Sequence, residues 1–454
     1  MSRTDMLSHR GHAAQVLRLG LPLVGSHLAQ IAIHLTDSVM LGRYSVEALA
    51  GQALGSTMFF VTFIVGSGFA LAVMPMVARA HASDDPVQVR RVTRMGLWIS
   101  MVYAAILIPV LSVSESLLRG IGQTDAVAEV AGAYLRIAGW GLIPALLVMV
   151  IKSYLSALER TQIVLWVTLA AVGLNIVINW LLIFGNLGFP ELGVRGAAVA
   201  SVLVAAASAL ALMLYAAGMQ AGHDLFSRFW RPDWAALLDV ARIGAPIGLT
   251  NLMESGLFAA ASLMMGWLGT IQLAAHGIVL QISAVTFMVH VGLSNAATIR
   301  AGQALGRRDG PGLRRGGVVA LVLSGAAALG AVALFLSLPE ELVGLFLGED
   351  VPDRGAVLAA GVVLMFGAAL FQVVDGAQIM ALGLLRGVQD TVVPLVIAVI
   401  CYWGVGISAS YVLGFTLGHG GLGVWLGLAL GLLMAAIFLL LRFFLWSGRG
   451  VRDA

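Results

Sequence analysis

Charge is scarce in this chain, lysine and cysteine scarcer still. Charged residues make up 11% of the 454 residues, against about 25% in soluble domains. Of the 26 basic residues only Lys152 is a lysine. A Walker A loop needs Gly-Lys, and Lys152 follows Ile151, so ATP is not bound through such a loop. The lone cysteine, Cys401, permits no internal disulfide and lies in an apolar run, as inert core would. No Cys/His set at metal-ligand spacing, nucleophile elbow or zincin motif is present, so an enzyme is not expected. The net charge of +3 is no nucleic-acid signature, because most basic residues sit in short loops. With 60% hydrophobic residues, 55 glycines and a mean hydropathy of +0.96, disorder, a disulfide scaffold and a cytosolic enzyme are all excluded.

What the chain has is apolar runs, at about 14–42, 47–78, 93–114, 128–156, 162–186, 194–218, 239–267, 273–299, 316–338, 355–384, 391–416 and 421–446. Each reaches or exceeds the ~20 residues a spanning helix needs. They are too long for membrane strands and lack a two-residue alternation. The fold class is therefore all-α and polytopic, with twelve transmembrane helices, the first run being read as a span and not a cleaved leader. Counting Lys and Arg in alternate loops sets the orientation. Twenty-one of the 26 fall on one side, among them Arg3, Arg18, Arg90, Arg91, Arg228, Arg307, Arg315, Arg386, Arg449 and Arg452. Arg43, Arg119, Arg195 and Arg354 fall on the other, and Arg136 is left inside a span. Both termini are expected in the cytoplasm.

The chain repeats itself. A shift of 224 lays Arg18-Leu19-Gly20-Leu21-Pro22 on Arg242-Ile243-Gly244-Ala245-Pro246 and pairs Val61-Thr62-Phe63 with Val285-Thr286-Phe287. It also pairs Ser38, Met40 and Gly42 with Ser262, Met264 and Gly266. Later the offset becomes 230, matching Leu192-Gly193-Val194 to Leu422-Gly423-Val424. Two pseudo-symmetric six-helix lobes are expected, over 1–218 and 239–454, joined by a cytoplasmic linker at 219–238. Repeats of this kind are typical of transporters, with the substrate site between the halves. Phe226, Phe229, Trp230 and Trp234 stand among charges in and beside the linker. They read as an inter-bundle connector with interfacial aromatics, or else as an amphipathic helix on the membrane surface.

Only three acids fall clearly inside apolar runs: Asp37, Glu254 and Asp375. A carboxylate near a span centre costs on the order of 3 kcal/mol to insert and marks an ion or proton pathway by default. The structural alternative is pairing with Arg136 or capping a broken helix. Polar neighbours favour function. His27, Gln30, His34 and Asp37 share one helical face, with His34 placed to relay protons or to pack through a hydrogen bond. Asn251, Glu254 and Ser255 form a patch on the seventh run, and Gln372, Asp375 and Gln378 on the tenth. Thr168, Asn175 and Asn179 stripe the fifth, and Thr286, His290 and Ser294 the eighth. Five polar faces describe a wet internal cavity, in which Met and aromatic side chains suit greasy ligands. The acids break the repeat: Glu254 falls on Gln30, Asp37 on Ala261 and Asp375 on Ala145. Such asymmetry implies a coupling task, with Glu254 and Asp375 sharing a cation or one of them holding a proton.

These residues resemble the MATE (multidrug and toxic compound extrusion) transporters, in particular the bacterial NorM-like branch, over about 14–446. The likeness rests on the twelve spans, on Thr36-Asp37-Ser38-Val39-Met40-Leu41-Gly42, on Pro22 and Pro246, and on Asn251 to Glu254. It rests also on Leu192-Gly193-Val194-Arg195-Gly196 and on Asp375-Gly376-Ala377-Gln378 followed by Gly383-Leu384-Leu385-Arg386-Gly387-Val388-Gln389-Asp390-Thr391. The resemblance implies a V-shaped pair of lobes, alternating access and an inner-membrane location. It implies efflux of small-molecule drugs and organic cations driven by inward H⁺ or Na⁺, with membrane lipids as the surroundings, no nucleic acid, no ATP, no cofactor and a monomer. Glu254 and Asp375 match the C-lobe cation site, where Na⁺ would be held. Asp37 matches the N-lobe acid tied to protonation and drug release, with Asn175 and Asn179 near it. Gln30, His34, Asn251, His290, Phe371, Gln372 and Gln378 complete the expected cavity lining. Two positions depart from the pattern: Phe371 stands where some relatives carry a cation-site tyrosine, and Glu159-Arg160 replaces a commoner Gly-Lys. The alternative is a flippase for a lipid-linked saccharide or phospholipid, which would need several cavity arginines or lysines.

Overall fold

A computed structural model of the chain describes residues 8–120, 122–219, 224–227, 229–348 and 353–453. Arg3, Arg228 and the linker positions 220–223 lie outside the described residues, as do the side chains of Arg449 and Arg452. Twelve helices are long and apolar enough to cross a membrane. They are α1 (His9–Tyr44), α2 (Glu47–Ala82), α3 (Pro86–Ser112), α4 (Asp125–Ala157), α5 (Thr161–Phe184) and α6 (Val194–Gly218). The second six are α7 (Trp234–Leu268), α8 (Thr270–Gly306), α9 (Gly310–Ser337), α10 (Arg354–Gly387), α11 (Val392–Thr416) and α12 (Gly420–Leu445). Large apolar side chains stand open on their outer faces, Ile106, Trp166, Leu214, Val322 and Leu329 among them. So much outward apolar surface suits lipid, not water. The chain is a multi-pass membrane protein.

Several helices run past their apolar cores. α3 starts seven residues before the run that signals it, α8 ends seven after, and α9 starts six before. The added turns carry Arg90, Arg91, Arg300, Arg314 and Arg315. Hydropathy marks only the lipid-facing length, whereas backbone hydrogen bonding continues until a cap ends it. Those caps repeat with the sequence. Asp85 accepts from the Gln88 amide at 2.9 Å and Asp309 from the Gly312 amide at 2.8 Å. The residues before them, Asp84 and Arg308, both have a φ of 55°. Glu159 and Gln389, related by the later offset, both have a φ of 63°. That left-handed backbone favours glycine, yet this chain places Glu159 and Gln389 there.

The chain forms two compact units, Gly25–Gly248 and Met1–Val24 with Leu249–Ala454. Each division falls two residues beyond a helix-interior proline, Pro22 in α1 and Pro246 in α7. A proline removes one i→i−4 bond and loosens the helix there, so the segments on either side are free to pack with different partners.

In the unit Gly25–Gly248 the described linker residues between Met219 and Trp234 form turns and bends, with no helix among them. They are clasped onto α3: Trp98 Nε1 donates to the Phe229 carbonyl at 2.9 Å, and Arg91 donates to both Asp233 oxygens, at 2.5 and 3.2 Å. A core of Ala104, Leu111, Tyr134, Leu135, Ala138, Leu142, Leu146 and Ala198 joins α3, α4 and α6.

In the other unit, α8 and α10 approach closely along small residues. A Cβ at Gly383 would stand 2.7 Å from the Ser294 carbonyl oxygen. Polar side chains bond across that seam, as close contact between apolar spans requires. Ser294 donates to the Ile379 carbonyl at 2.7 Å and Thr298 to the Gly383 carbonyl at 2.8 Å. α11 departs from α geometry, with π-helical stretches at Val399–Ile407 and Val412–Thr416. Its counterpart in the repeat, α5, is regular.

Candidate functional site

Each unit holds its own buried acid site. In Gly25–Gly248 the acid is Asp37 on α1, 5% exposed. Asn175 and Asn179 are one turn apart on α5, a spacing that sets both amides on one face, and both are fully buried. Each donates Nδ2–H to Asp37 Oδ1, at 3.0 and 2.5 Å. Their own amide oxygens receive no hydrogen bond from the described residues. Two donors on one oxygen hold the carboxyl in place while leaving its other oxygen to exchange a proton or face a ligand. His34, one turn earlier on α1, is exposed, and Gln30 is half-buried with its side chain hydrogen-bonded to His27.

The cations of this unit are placed elsewhere. Arg136 bonds Glu115 at 3.1 Å and is half-exposed, so it neutralises none of the three intramembrane acids. Lys152 is 4% exposed and lies in the unit's interior.

In the unit of residues 249–454 the acids meet. Asp375 on α10 has Glu254 on α7 as its charged neighbour, and Arg386, at the end of α10, lies within the field of Glu254. Tyr402, in the π-helical stretch of α11, has Glu254, Asp375 and Arg386 around it and accepts a hydrogen bond from Gln378. Arg386 donates Nη2–H to Asn251 Oδ1 at 2.7 Å. π-turns shift the register of a helix and recur at functional sites; here one carries the phenol that lies within the field of the acids. Glu254 Oε1 and Asp375 Oδ1 are buried and receive no hydrogen bond from the described residues. With both acids ionised, two negative charges stand against one guanidinium, a local balance of −1. Two open carboxylate oxygens and one uncompensated charge are the chemistry of a site for a proton or a small monovalent cation.

Other residues expected to line a cavity are engaged in packing. Gln372 donates to the Ser283 carbonyl at 3.1 Å and to Thr286 Oγ1 at 2.5 Å. His290 Nδ1 pairs with Ser324 Oγ at 2.9 Å, and that hydroxyl donates to the Gly376 carbonyl at 3.1 Å. The polar stripe of α8 thus joins α8, α9 and α10, with His290 and Ser294 buried and Thr286 half-buried. Phe371 stands edge-to-face between Phe258 and Trp425, with centroids at 5.8 and 5.4 Å. Among the described residues no group of three or more His, Cys, Asp and Glu side chains gathers in a metal-binding arrangement.

Two members of the acid cluster escape the sequence reading. Arg386 counts as one more loop arginine there, although its place one turn beyond Leu382 on the Asp375 helix leaves it able to reach inward. Tyr402 sits in a run with no polar stripe, and its only signal is a phenol that needs a hydrogen-bond partner when buried.

The MatE family model matches residues 22–181 and 246–412. The probable multidrug resistance protein NorM of Rhizobium meliloti (strain 1021) is 46% identical over 436 residues, covering 95% of this chain and 93% of that protein. The protein of the same description from Agrobacterium fabrum (strain C58 / ATCC 33970) is 43% identical, covering 98% of this chain and 96% of that one. In fold the chain is similar to a solved structure described as the outward-facing conformation of a multidrug resistance MATE family transporter of the MOP superfamily, with a TM-score of 0.89 at 20% identity, covering 100% of this chain and 99% of that one. The eukaryotic MATE transporter AtDTX14 follows at 0.87 and 18% identity, covering 98% and 99%.

Proposed function

This chain belongs to the MatE family, and from that membership and its two acid sites we propose that it is a secondary multidrug antiporter of the inner membrane, exporting cationic or amphipathic small molecules against inward H⁺ or Na⁺. Both termini lie in the cytoplasm. The ion is cargo, not a resident cofactor. The observation that carries the reading is the pair of open carboxylate oxygens on Glu254 and Asp375, buried with one positive partner. One monovalent ion restores local neutrality, and its release restores a negative site, so the pair cycles between two charge states. Asp37, held by Asn175 and Asn179, is the acid whose proton exchange accompanies drug release, with Gln30 and His34 on the same helix face as drug contacts. Ion binding drives transport only through its unequal affinity for the inward- and outward-open states.

The flippase alternative needs cationic side chains deep in the spans for an anionic headgroup. Arg136 is tied to Glu115, Lys152 is enclosed, and Arg386 is bonded to Asn251 in the field of Glu254, so none offers itself to one. The test is dye efflux from proteoliposomes under separately imposed Na⁺ and pH gradients. Asp375→Asn is expected to abolish gradient-driven efflux while leaving expression and melting near wild type. Unchanged efflux in that variant rejects the assignment.

A further inference from the structure

A second charged cavity lies at the arginine-bearing end of the unit of residues 249–454. The end of α8, the turn at 307–309, the first turns of α9 and the start of α1 enclose about 340 Å³, within the range of small-ligand sites. His12, Arg300, Arg307, Asp309 and Arg315 line it, with Gly316 in its wall. Three arginines stand against one carboxylate; Arg300 also donates Nη1–H to Gln303 Oε1 at 3.0 Å, and the carboxylate already caps α9 through the Gly312 amide. His12 is 5% exposed, and its Nδ1 has no hydrogen-bond partner among the described residues. That nitrogen is 3.4 Å from where a Cβ on Gly316 would stand, so it borders the cavity wall. A buried polar atom without a partner marks a place where a ligand group completes the bonding.

The cavity is not a by-product of the repeated scaffold. Under the 224 shift Arg300 falls on Met76, Arg307 on Ser83 and Gly316 on Val92. Of these lining arginines only Arg315 has an arginine counterpart, Arg91, which pairs with Asp233 outside any such cavity. One half has kept the turn and its cap while surrounding the same place with positive charge and opening it with a glycine.

We propose that this cavity binds a phosphate group, supplied by the headgroup of an anionic membrane lipid. Guanidinium forks match phosphate oxygens, and basic pockets between spans at the cytoplasmic surface hold such headgroups. Leu313 and Leu384 on the same lining give the glycerol backbone an apolar edge. The bound lipid is a fixed ligand of the helix ends, distinct from transported cargo and independent of the acid sites.

The test uses full-length protein, purified and delipidated, titrated with phosphatidylglycerol, phosphatidylcholine or inorganic phosphate, with bound lipid counted by native mass spectrometry. Wild type is expected to hold one phosphatidylglycerol at least tenfold more tightly than phosphatidylcholine. Arg307→Gln/Arg315→Gln is expected to lose that preference. Gly316→Leu, which fills the cavity without changing charge, is expected to lose it too, and carries the test by itself if the double variant does not fold. Equal binding of the two lipids by wild type, or wild-type binding by Gly316→Leu, overturns the proposal. Displacement of the lipid by inorganic phosphate at equal concentration overturns the lipid as the source.

Discussion

Arg386→Met removes the one positive charge beside Glu254 and Asp375. Two contributions are lost. The charge-assisted hydrogen bond to Asn251, 2.7 Å long, contributes about 1.5–3 kcal/mol. Arg386 lies in the field of Glu254 without forming an ion pair with it; at an effective dielectric of about 20 two charges in direct contact gain ~4 kcal/mol, and a more distant pair about half of that. Relief of the guanidinium's own desolvation offsets part of the sum. A net loss of about 3 kcal/mol remains, the lower end of what breaking a buried charge arrangement costs, ~3–5 kcal/mol. For units of some 200 residues this lowers the melting temperature by about 6–12 °C. The assay is thermal unfolding in detergent at alkaline pH of wild type, Arg386→Met, Glu254→Gln and the double variant. The charge contribution is isolated by the cycle: the double variant is expected to recover about 2 kcal/mol relative to additivity. A single variant that melts within about 2 °C of wild type, or strictly additive losses, refutes the assignment of Arg386 as counter-charge.

Asn179→Ala removes the shorter of the two amide bonds to Asp37, leaves one donor on the carboxyl and is expected to cut proton-driven efflux at least tenfold with protein levels unchanged; efflux equal to wild type in vesicles counts against Asn179 as a positioning group. Gly383→Ala places a methyl against the backbone oxygen of Ser294 at 2.7 Å, where nothing flexible yields, and is expected to destabilise by about 1–3 kcal/mol. Gly325→Ala, with open space around it, is the control expected to melt like wild type. Outside the spans, the paired bonds from Arg91 hold the Asp233 carboxyl below the usual carboxylate range. A lowered folded-state pKa gives stability that is present above the unfolded value of about 3.9 and is lost as pH falls through the folded one. The pair is partly exposed, so solvent screening limits it to about 0.5–1 kcal/mol. The melting difference between wild type and Asp233→Asn should therefore be constant above about pH 5 and shrink as pH falls below the unfolded value and through the lowered folded one; a difference that grows on acidification has the wrong sign.

Much of this was open to reading from the residues. The twelve spans coincide with twelve apolar runs, and the repeat that aligns Pro22 with Pro246 also aligns the caps Asp85 and Asp309 and the left-handed residues before them. The three intramembrane acids announce themselves by being charged where charge is rare. The polar stripes on α5 and α8 look alike in sequence, yet Asn175 and Asn179 meet an acid while His290 and Ser294 join helices. A stripe fixes which face of a helix is polar and says nothing of what that face touches.

The sequence by itself settled the number of spans, the internal duplication and the identity of the acids, because a membrane helix satisfies its own backbone and its hydropathy is a local property of some twenty consecutive residues. Only the tertiary structure decided that Arg386 comes within the field of Glu254, that a π-helical stretch brings Tyr402 within the field of Asp375, and that α1 and α7 each divide between two units beyond a proline. Those outcomes depend on how each helix is rotated and how far it is shifted against its neighbours. Rotation and shift are set by pairwise packing of side chains distant in the chain, which no periodicity within a single run records.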